Sequence, residues 1–324
     1  MPDITLIEAV TQALAYELAH DENVVVFGED VGKNGGVFRA TVGLQERFGE
    51  KRVFDTPLAE SMIAGLAIGM SIQGLKPVAE FQFMGFIYPA MNQIISHAAR
   101  MRNRTRGRLH CPLVFRAPFG GGIRAPEHHS ESTEALFAHI PGLQVVIPSS
   151  PRRAYGLLLA AMRNPDPVIF LEPKRIYRLV KQPVEDSGES LPIGKCFTLQ
   201  HGDDVTLISW GASLHETQQA AKALGNEGIS CELIDVATIK PLDIESILAS
   251  VEKTGRCVIV HEGAKTCGVG AEITALIMEY SMTDLVAPVQ RVTGYDTVMP
   301  YFQLEKQYIP SVSRIKNTVM SIME

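Results

Sequence analysis

Short runs rich in valine, isoleucine and phenylalanine, apolar on both faces, alternate with helix-period segments twice along the 324 residues. Uniformly apolar strands flanked by helices belong to a parallel sheet covered on both sides, because each crossover lays a helix over a sheet face. The first series predicts a helix over 5–20, a strand at Val24–Gly28, a glycine-rich loop with Gly32, Gly35 and Gly36, and a helix opened by Glu60. A strand at Pro77–Phe83 follows, then a long helix from about Tyr88 to Arg104. Strands at Leu113–Arg116, Gln144–Ile147 and Val168–Leu171 complete it, with a helix over 151–163. From Glu172 to Asp204 periodicity fades, and Pro173, Pro183, Gly188, Pro192 and Gly194 punctuate the chain. The second series predicts strands at Val205–Trp210, Ser230–Val236, Cys257–His261 and Val289–Thr293. Its helices are expected over 213–225, 243–252, 270–281 and near 311–322. The expected fold class is α/β: a parallel-sheet domain over 1–175, a linker over 176–203 and a smaller α/β domain over 204–324.

The helix that Glu60 opens is the second constraint. Ser61, Gly65 and Gly69 recur every fourth residue and share one face. A glycine inside a helix costs about 0.5–1 kcal/mol relative to alanine. Two of them, beside Ala64 and Ala67, imply close approach of another backbone. Thr56 is placed to cap this helix and Pro57 to fill its first position, and an acid in the first turn suits the dipole. On residue types alone, Glu60 reads more readily as structural than as functional.

Composition excludes several classes. An apolar fraction of 46% with 20% charged residues is that of an ordinary soluble globular protein. A net charge of −6 argues against general nucleic-acid binding, and one tryptophan with 7% aromatics does not suggest a carbohydrate-binding surface. Cys111, Cys196, Cys231, Cys257 and Cys267 are odd in number and lack any C-x-x-C, and three lie in apolar strand-like runs, so buried free thiols in a reducing compartment are expected. The histidines show neither H-x-x-x-H nor H-E-x-x-H spacing. No apolar run is long enough to span a bilayer. Met1-Pro2-Asp3 leads at once into the capping-box pattern Thr5-x-x-Glu8, so no signal peptide is expected and the protein reads as cytoplasmic.

Several segments offer chemistry. Gly268-Val269-Gly270-Ala271-Glu272-Ile273 follows a strand and opens a helix, but Ile273 stands where a dinucleotide fingerprint needs its third glycine. Gly120-Gly121-Gly122 leads into no helix, and reads as a flexible loop rather than a phosphate cradle. The stretch from Pro118 to Ser132 then turns polar, with Arg124, Glu127, His128, His129, Ser130 and Glu131. Titratable groups in a loop after a sheet strand are favoured for chemistry. Arg100, Arg102, Arg104, Arg106 and Arg108 alternate at a helix end, where cations suit the dipole or a subunit contact.

The run Asp55-Thr56-Pro57-x-x-Glu60, Gly65-Leu66, Gly69-Met70 and Gln73 resembles the signature of the pyrimidine-binding domain of thiamine-diphosphate enzymes. Gly28-Glu29-Asp30, Glu80-Phe81, Phe86, His129-Ser130, Pro141-Gly142-Leu143, Glu172-Pro173-Lys174 and Gly294-Tyr295-Asp296-Thr297 resemble the β subunits of 2-oxo acid dehydrogenases. The likeness runs from about Thr5 to the end of the chain.

That resemblance implies a pyrimidine-binding domain followed by a transketolase C-terminal-like domain, in an α2β2 enzyme that decarboxylates a 2-oxo acid and passes the acyl group to a lipoyl group. It implies that Glu60 hydrogen-bonds the ring nitrogen N1′ of the aminopyrimidine, that Phe86 stacks on that ring, and that Glu29 lies at the cofactor. A carboxyl shielded from water has the raised pKa needed to share a proton there. His129 matches the active-site histidine; His128 beside it leaves open which of the two acts. Leu113, Ala161, Met162, Asn164 and Asp166 match a potassium site built largely of carbonyl oxygens. No Gly-Asp-Gly followed by Asn-Asn is present, the motif by which the α subunit holds Mg²⁺ and the diphosphate, so the chain is expected to act only with its α subunit. The lipoyl-bearing acyltransferase component is the second implied partner, docked through the C-terminal domain near Asp296. Pyruvate and branched-chain 2-oxo acids both fit, with a lean to pyruvate. A mainly architectural subunit is the reading from another class.

Overall fold

A computed structural model describes residues 3–324, and the Met1-Pro2 start lies outside the described residues. The first half contains β1 (Asp3–Thr5), α1 (Leu6–His20), β2 (Val24–Gly28), α2 (Leu44–Phe48), β3 (Val53–Asp55), α3 (Glu60–Ile72) and β4 (Lys76–Glu80). It continues through α4 (Met91–Ser96), α5 (Met101–Arg104), β5 (Val114–Phe119), α6 (Glu134–Ala138), β6 (Gln144–Val146), α7 (Pro151–Arg163) and β7 (Val168–Pro173). After β8 (Lys181–Pro183), the second half has β9 (Phe197–Gln200), β10 (Val205–Ser209), α8 (Ser213–Gly225), β11 (Cys231–Asp235), β12 (Thr238–Lys240) and α9 (Ile244–Thr254). It closes with β13 (Cys257–Val260), α10 (Val269–Ser281), β14 (Gln290–Val292), α11 (Phe302–Tyr308) and α12 (Val312–Met323).

Two largely parallel sheets carry the molecule, as the doubly apolar strands require. The larger has the order β12-β6-β7-β5-β4-β2-β3, and the smaller β14-β13-β10-β11-β9. Only their outer strands β12 and β9 run antiparallel to their neighbours. β12 lies in sequence beyond β11, yet completes the first sheet, so the two halves share a strand seam. The segment between the series is stitched to both halves: β8 pairs with β1, and β9 with β11. In the larger sheet Gly28 pairs with Asp55 and with Glu80, and Glu80 with Arg116, which aligns the C-terminal strand ends along one edge.

Arg116 lies beneath that edge. It grips Glu172 through two hydrogen bonds of 2.7 and 3.0 Å and also bonds Glu80, while the Tyr177 hydroxyl donates to Glu172 at 2.6 Å. All four side chains are buried. Burial raises the Glu80 carboxyl, Arg116 pulls it back and Glu172 raises it again.

Local departures from expectation have local causes. The long helix expected from Tyr88 to Arg104 is broken at His97, whose backbone (φ −121°, ψ −65°) leaves the helical region. The break seats the following turn against Gly142, where a Cβ would stand 1.9 Å from the Ala99 carbonyl oxygen. β4 ends at Glu80; the Phe81 amide still donates to the Arg116 carbonyl at 3.0 Å, and the chain leaves the ladder at Gln82 and Phe83. Of the helix-end arginines, Arg102 pairs with Asp166 at 2.6 Å, and Arg104 donates to the Ser96 carbonyl. The Thr5–Glu8 capping box forms, all five cysteines are free although Cys267 is exposed rather than buried, and no helix among the described residues is long and apolar enough to cross a membrane.

Candidate active site

The aligned strand ends place three acidic segments together: Glu29 after β2, Asp55 at the end of β3 and Glu60 at the start of α3. Thr56 does not cap α3. The N-cap is Ala59, with no side-chain cap, because Pro57-Leu58-Ala59 run on before the helix starts. The Thr56 amide instead donates to the Gly28 carbonyl at 2.9 Å, and its hydroxyl is buried without a partner. Asp55 accepts the Gly32 amide at 2.6 Å and the Lys33 amide at 3.4 Å, fastening the glycine-rich loop. Glu29 and Glu60 are both half-buried. Burial raises the Glu29 carboxyl, and the charges of Asp30 and Glu60 raise it further.

Ser61, next to Glu60, donates to the Pro89 carbonyl at 2.5 Å, tying the start of α3 to the turn that follows Phe86. Outward from there, among the described residues no backbone from outside α3 comes within 4 Å of where a Cβ would stand at Gly65 or Gly69. A Cβ at Gly69 would have nothing within 4 Å, and one at Gly65 would only reach Gln93 at 3.9 Å.

Phe86 and His129 are in direct contact. Their ring centroids stand 5.1 Å apart, edge to face, and His129 also meets Phe83 edge to face at 4.6 Å. Phe83 and Phe86 pack on each other at 5.4 Å. His128 turns away: it is 57% exposed and lies near Tyr88 and Glu131. The turn carrying both histidines presses on Gly85, where a Cβ would stand 2.3 Å from the His128 carbonyl oxygen. The motif favoured His129 while leaving His128 open; packing brings only His129 to Phe86.

The glycine stretch is fastened rather than flexible. The Gly120 amide donates to the Glu131 carbonyl at 2.9 Å, closing the loop at its base. The Gly121 and Gly122 amides go to carboxylates of the second half, Glu262 and Glu305. The Lys174 ammonium donates to the Gly120 carbonyl. Burial pulls Lys174 down to about 8, against the opposing charges of Glu262, Glu305 and Glu131. Sequence reasoning did not single out Lys174, Glu262 or Glu305 as site residues. Only the Glu172-Pro173-Lys174 run hinted at one of them.

The Gly268–Gly270 stretch, set aside as a dinucleotide fingerprint, has a packing role. The buried His261 ring stacks on Trp210 (5.0 Å, 11°), and a Cβ at Gly268 or Gly270 would stand 2.9 or 2.8 Å from it. Burial first, then Arg291, pulls His261 down to about 3, so it stays neutral.

The five residues matched to a potassium site gather where α7 ends and β5 begins. The Leu113 carbonyl accepts the Val168 amide at 3.0 Å, and the Ala161 carbonyl accepts the Asn164 amide at 3.2 Å. The Asn164 side-chain oxygen accepts the Asp166 amide at 2.9 Å, and Asp166 pairs with Arg102. Each carbonyl keeps a second lone pair for a hard cation. Among the described residues no cluster of three His, Cys, Asp or Glu side chains is arranged to hold a metal ion.

Residues 3–180 match the family described as transketolase, pyrimidine binding domain, and residues 194–315 that of transketolase, C-terminal domain. A pyruvate dehydrogenase E1 component subunit beta from Acholeplasma laidlawii is 52% identical over 315 residues, covering 97% of this chain and 96% of the relative. The protein of that description from Bacillus subtilis (strain 168) is 48% identical over 100% of both chains, and one from Staphylococcus aureus is 44% identical over 100% of both. A solved structure described as a split gene transketolase, inactive beta4 tetramer, superposes with a TM-score of 0.82 at 24% identity over 99% of each chain, a likeness of fold. With two matched domains and relatives of such identity over nearly its whole length, the chain belongs to the pyruvate dehydrogenase E1 component subunit beta family.

Proposed function

We propose that this chain is the β subunit of an α2β2 pyruvate dehydrogenase, in which thiamine diphosphate is held between it and an α subunit. The observation that carries this reading is the packing of His129 on Phe83 and Phe86, with the turn after Phe86 tied to the start of the Glu60 helix. The donor set fits the cofactor's aminopyrimidine end: Glu60 to hold a proton at the ring nitrogen, Phe86 to lie against the ring, and Glu29 alongside. The buried, unpartnered Thr56 hydroxyl is one more polar atom at this edge. When bound, thiamine diphosphate supplies the nucleophilic carbon and the electron sink that decarboxylation of a 2-oxo acid requires.

This chain's residues then have distinct tasks. Glu60 exchanges a proton with the ring nitrogen, and Glu29, raised by burial and by the charges of Asp30 and Glu60, lies beside it. His129, held edge-on by two phenylalanines, moves a proton at the substrate or during acyl transfer to a lipoyl group. The α subunit, which would hold Mg²⁺ and the diphosphate, is proposed to cover the open Ser61–Gly65–Gly69 face. The acyltransferase component is proposed to dock on the C-terminal domain near Asp296, whose carboxylate accepts from Thr266 and whose neighbours Tyr295, Tyr301 and Phe302 are exposed. A potassium ion at the α7 end is part of the same proposal. Pyruvate is preferred over branched-chain 2-oxo acids because the similar chains carry that name. The test is turnover of the chain reconstituted with its α subunit. Pyruvate is expected to outpace 2-oxoisovalerate, and the reverse order refutes the substrate assignment.

A further inference from the structure

We infer that Glu262 and Glu305 are positioning residues, carboxylates of the C-terminal domain that hold the His129-bearing loop in its working conformation. The inference rests on the role proposed for His129. Four donors leave the segment from Gly121 to Ser132 and end on these two side chains. The Gly121 amide and the Ser132 hydroxyl (3.1 Å) go to Glu262, and the Gly122 (2.9 Å) and Arg124 (3.1 Å) amides go to one oxygen of Glu305. Both acceptors are 6% exposed. Hydrogen bonds to a buried carboxylate are charge-assisted and stronger than neutral ones. Among the described residues, no other side chain outside the loop bonds the 121–126 backbone.

Two further features show that the loop is held against its own preferences. A Cβ at Gly121 would stand 2.3 Å from Met299, and one at Gly122 1.9 Å from Arg175, so both glycines lie hard against the side chains that cover them. Arg124 (φ 62°), the last residue anchored before His129, and Glu127 (φ 48°), between it and His129, adopt left-handed backbone. Non-glycine residues hold that conformation only where the surroundings over-determine it. The anchors therefore reach His129 through the backbone, and the seating of the C-terminal domain is coupled to the geometry of the histidine.

The experiment uses the reconstituted α2β2 enzyme with Glu305→Ala, Glu305→Gln, His129→Ala and the double variant. Amide exchange of a peptide covering 119–132 is expected to rise at least about tenfold in Glu305→Ala, because exchange reads the local opening that the anchor opposes. Turnover is expected to fall about 10–100-fold, the usual cost of a catalytic group displaced by about 1 Å. Glu305→Gln keeps an acceptor oxygen and should stay within about fivefold of wild type, since both amide bonds can still form. In the His129→Ala background, Glu305→Ala should cost less than about twofold more, because residues acting through one another are non-additive. Additive losses, or loop exchange equal to wild type, overturn the inference. Should Glu305→Ala fail to assemble, Ser132→Ala deletes one donor to Glu262 and runs the same cycle with a smaller loss. A wild-type complex that turns over no 2-oxo acid refutes the functional reading instead, while loop exchange still reports on the anchor.

Discussion

Replacing Arg116 by methionine tests whether the site's edge is held by charge balance. Arg116, Glu80 and Glu172 are at most 4% exposed, and the guanidinium bridges both carboxylates. Methionine fills much of the aliphatic volume but leaves two carboxyls buried and facing each other. Breaking a buried ion pair by removing one partner costs about 3–5 kcal/mol. With a urea m-value of about 3 kcal/mol per M, the midpoint should fall by about 1–1.7 M. The pH dependence has a definite sign. Burial already raises Glu80, and loss of Arg116 removes the charge that pulls it back. A carboxyl whose folded pKa lies above its unfolded value of about 4.3 adds stability below that value and loses it as pH rises through the folded pKa. The deficit of Arg116→Met should therefore be smallest near pH 4, widen toward neutrality and then level off. Adding Glu80→Gln and Glu172→Gln should abolish the pH-dependent part. Urea titrations of the reconstituted protein at pH 4.5 and 8 read this directly. A deficit below about 1 kcal/mol at pH 8, or one independent of pH, refutes the view that these charges are compensating one another.

Glu60→Gln should assemble with the α subunit but lose hydrogen–deuterium exchange at the cofactor's C2; exchange at the wild-type rate would remove Glu60 from its proposed role. His129→Ala should lower turnover about 10²–10⁴-fold, as expected for a general acid–base group, while His128→Ala changes it less than about threefold; steady-state kinetics decides, and equal losses defeat the assignment. Gly69→Leu should hold or slightly raise the chain's thermal unfolding temperature, because a Cβ there meets nothing within 4 Å and a helix glycine is removed, yet weaken association with the α subunit, measured by sedimentation. Glu29→Gln removes a carboxyl that burial, Asp30 and Glu60 all raise, so it should raise Tm at neutral pH and leave it unchanged once the pH falls below the unfolded carboxyl's pKa of about 4.3.

The sheets were readable because doubly apolar strands have one good solution, and the β2, β10, β11 and β13 runs fall within a residue or two of the observed strands. Elements decided by tertiary contact were not readable. The helix break at His97 answers to Gly142, remote in sequence, and the β12 addition to the first sheet answers to β6. Capping failed at Thr56 for a similar reason: its amide is taken by Gly28 on the neighbouring strand, which draws the residue into the sheet edge and away from the helix. Of the proposed site residues, Glu60 and Phe86 stand out in the sequence only because their surroundings resemble a family motif. Glu262 and Glu305 lie at least 130 residues from the loop they hold, and an isolated glutamate in a sequence carries no sign of which amide it will accept.

Water access separates what this chain supplies from what it needs. A carboxyl that shares a proton with a ring nitrogen works in a dry site, where charge is disfavoured. Around Glu60 the chain provides only part of that dryness: the carboxylate is half-buried, Phe86 is half-buried, and the face along Gly65 and Gly69 is open. On the inner side the conditions are met, with Phe83 packed on His129 and the Arg116 trio sealed beneath. If Glu60 acts as proposed, orientation is built into this chain and exclusion of solvent has to come from a partner over α3. On the proposed reading the α subunit both delivers the diphosphate end of the cofactor and closes the wet side of Glu60. Association and proton transfer should then fail together in Gly69→Leu, although that residue lies more than two helical turns from the carboxylate.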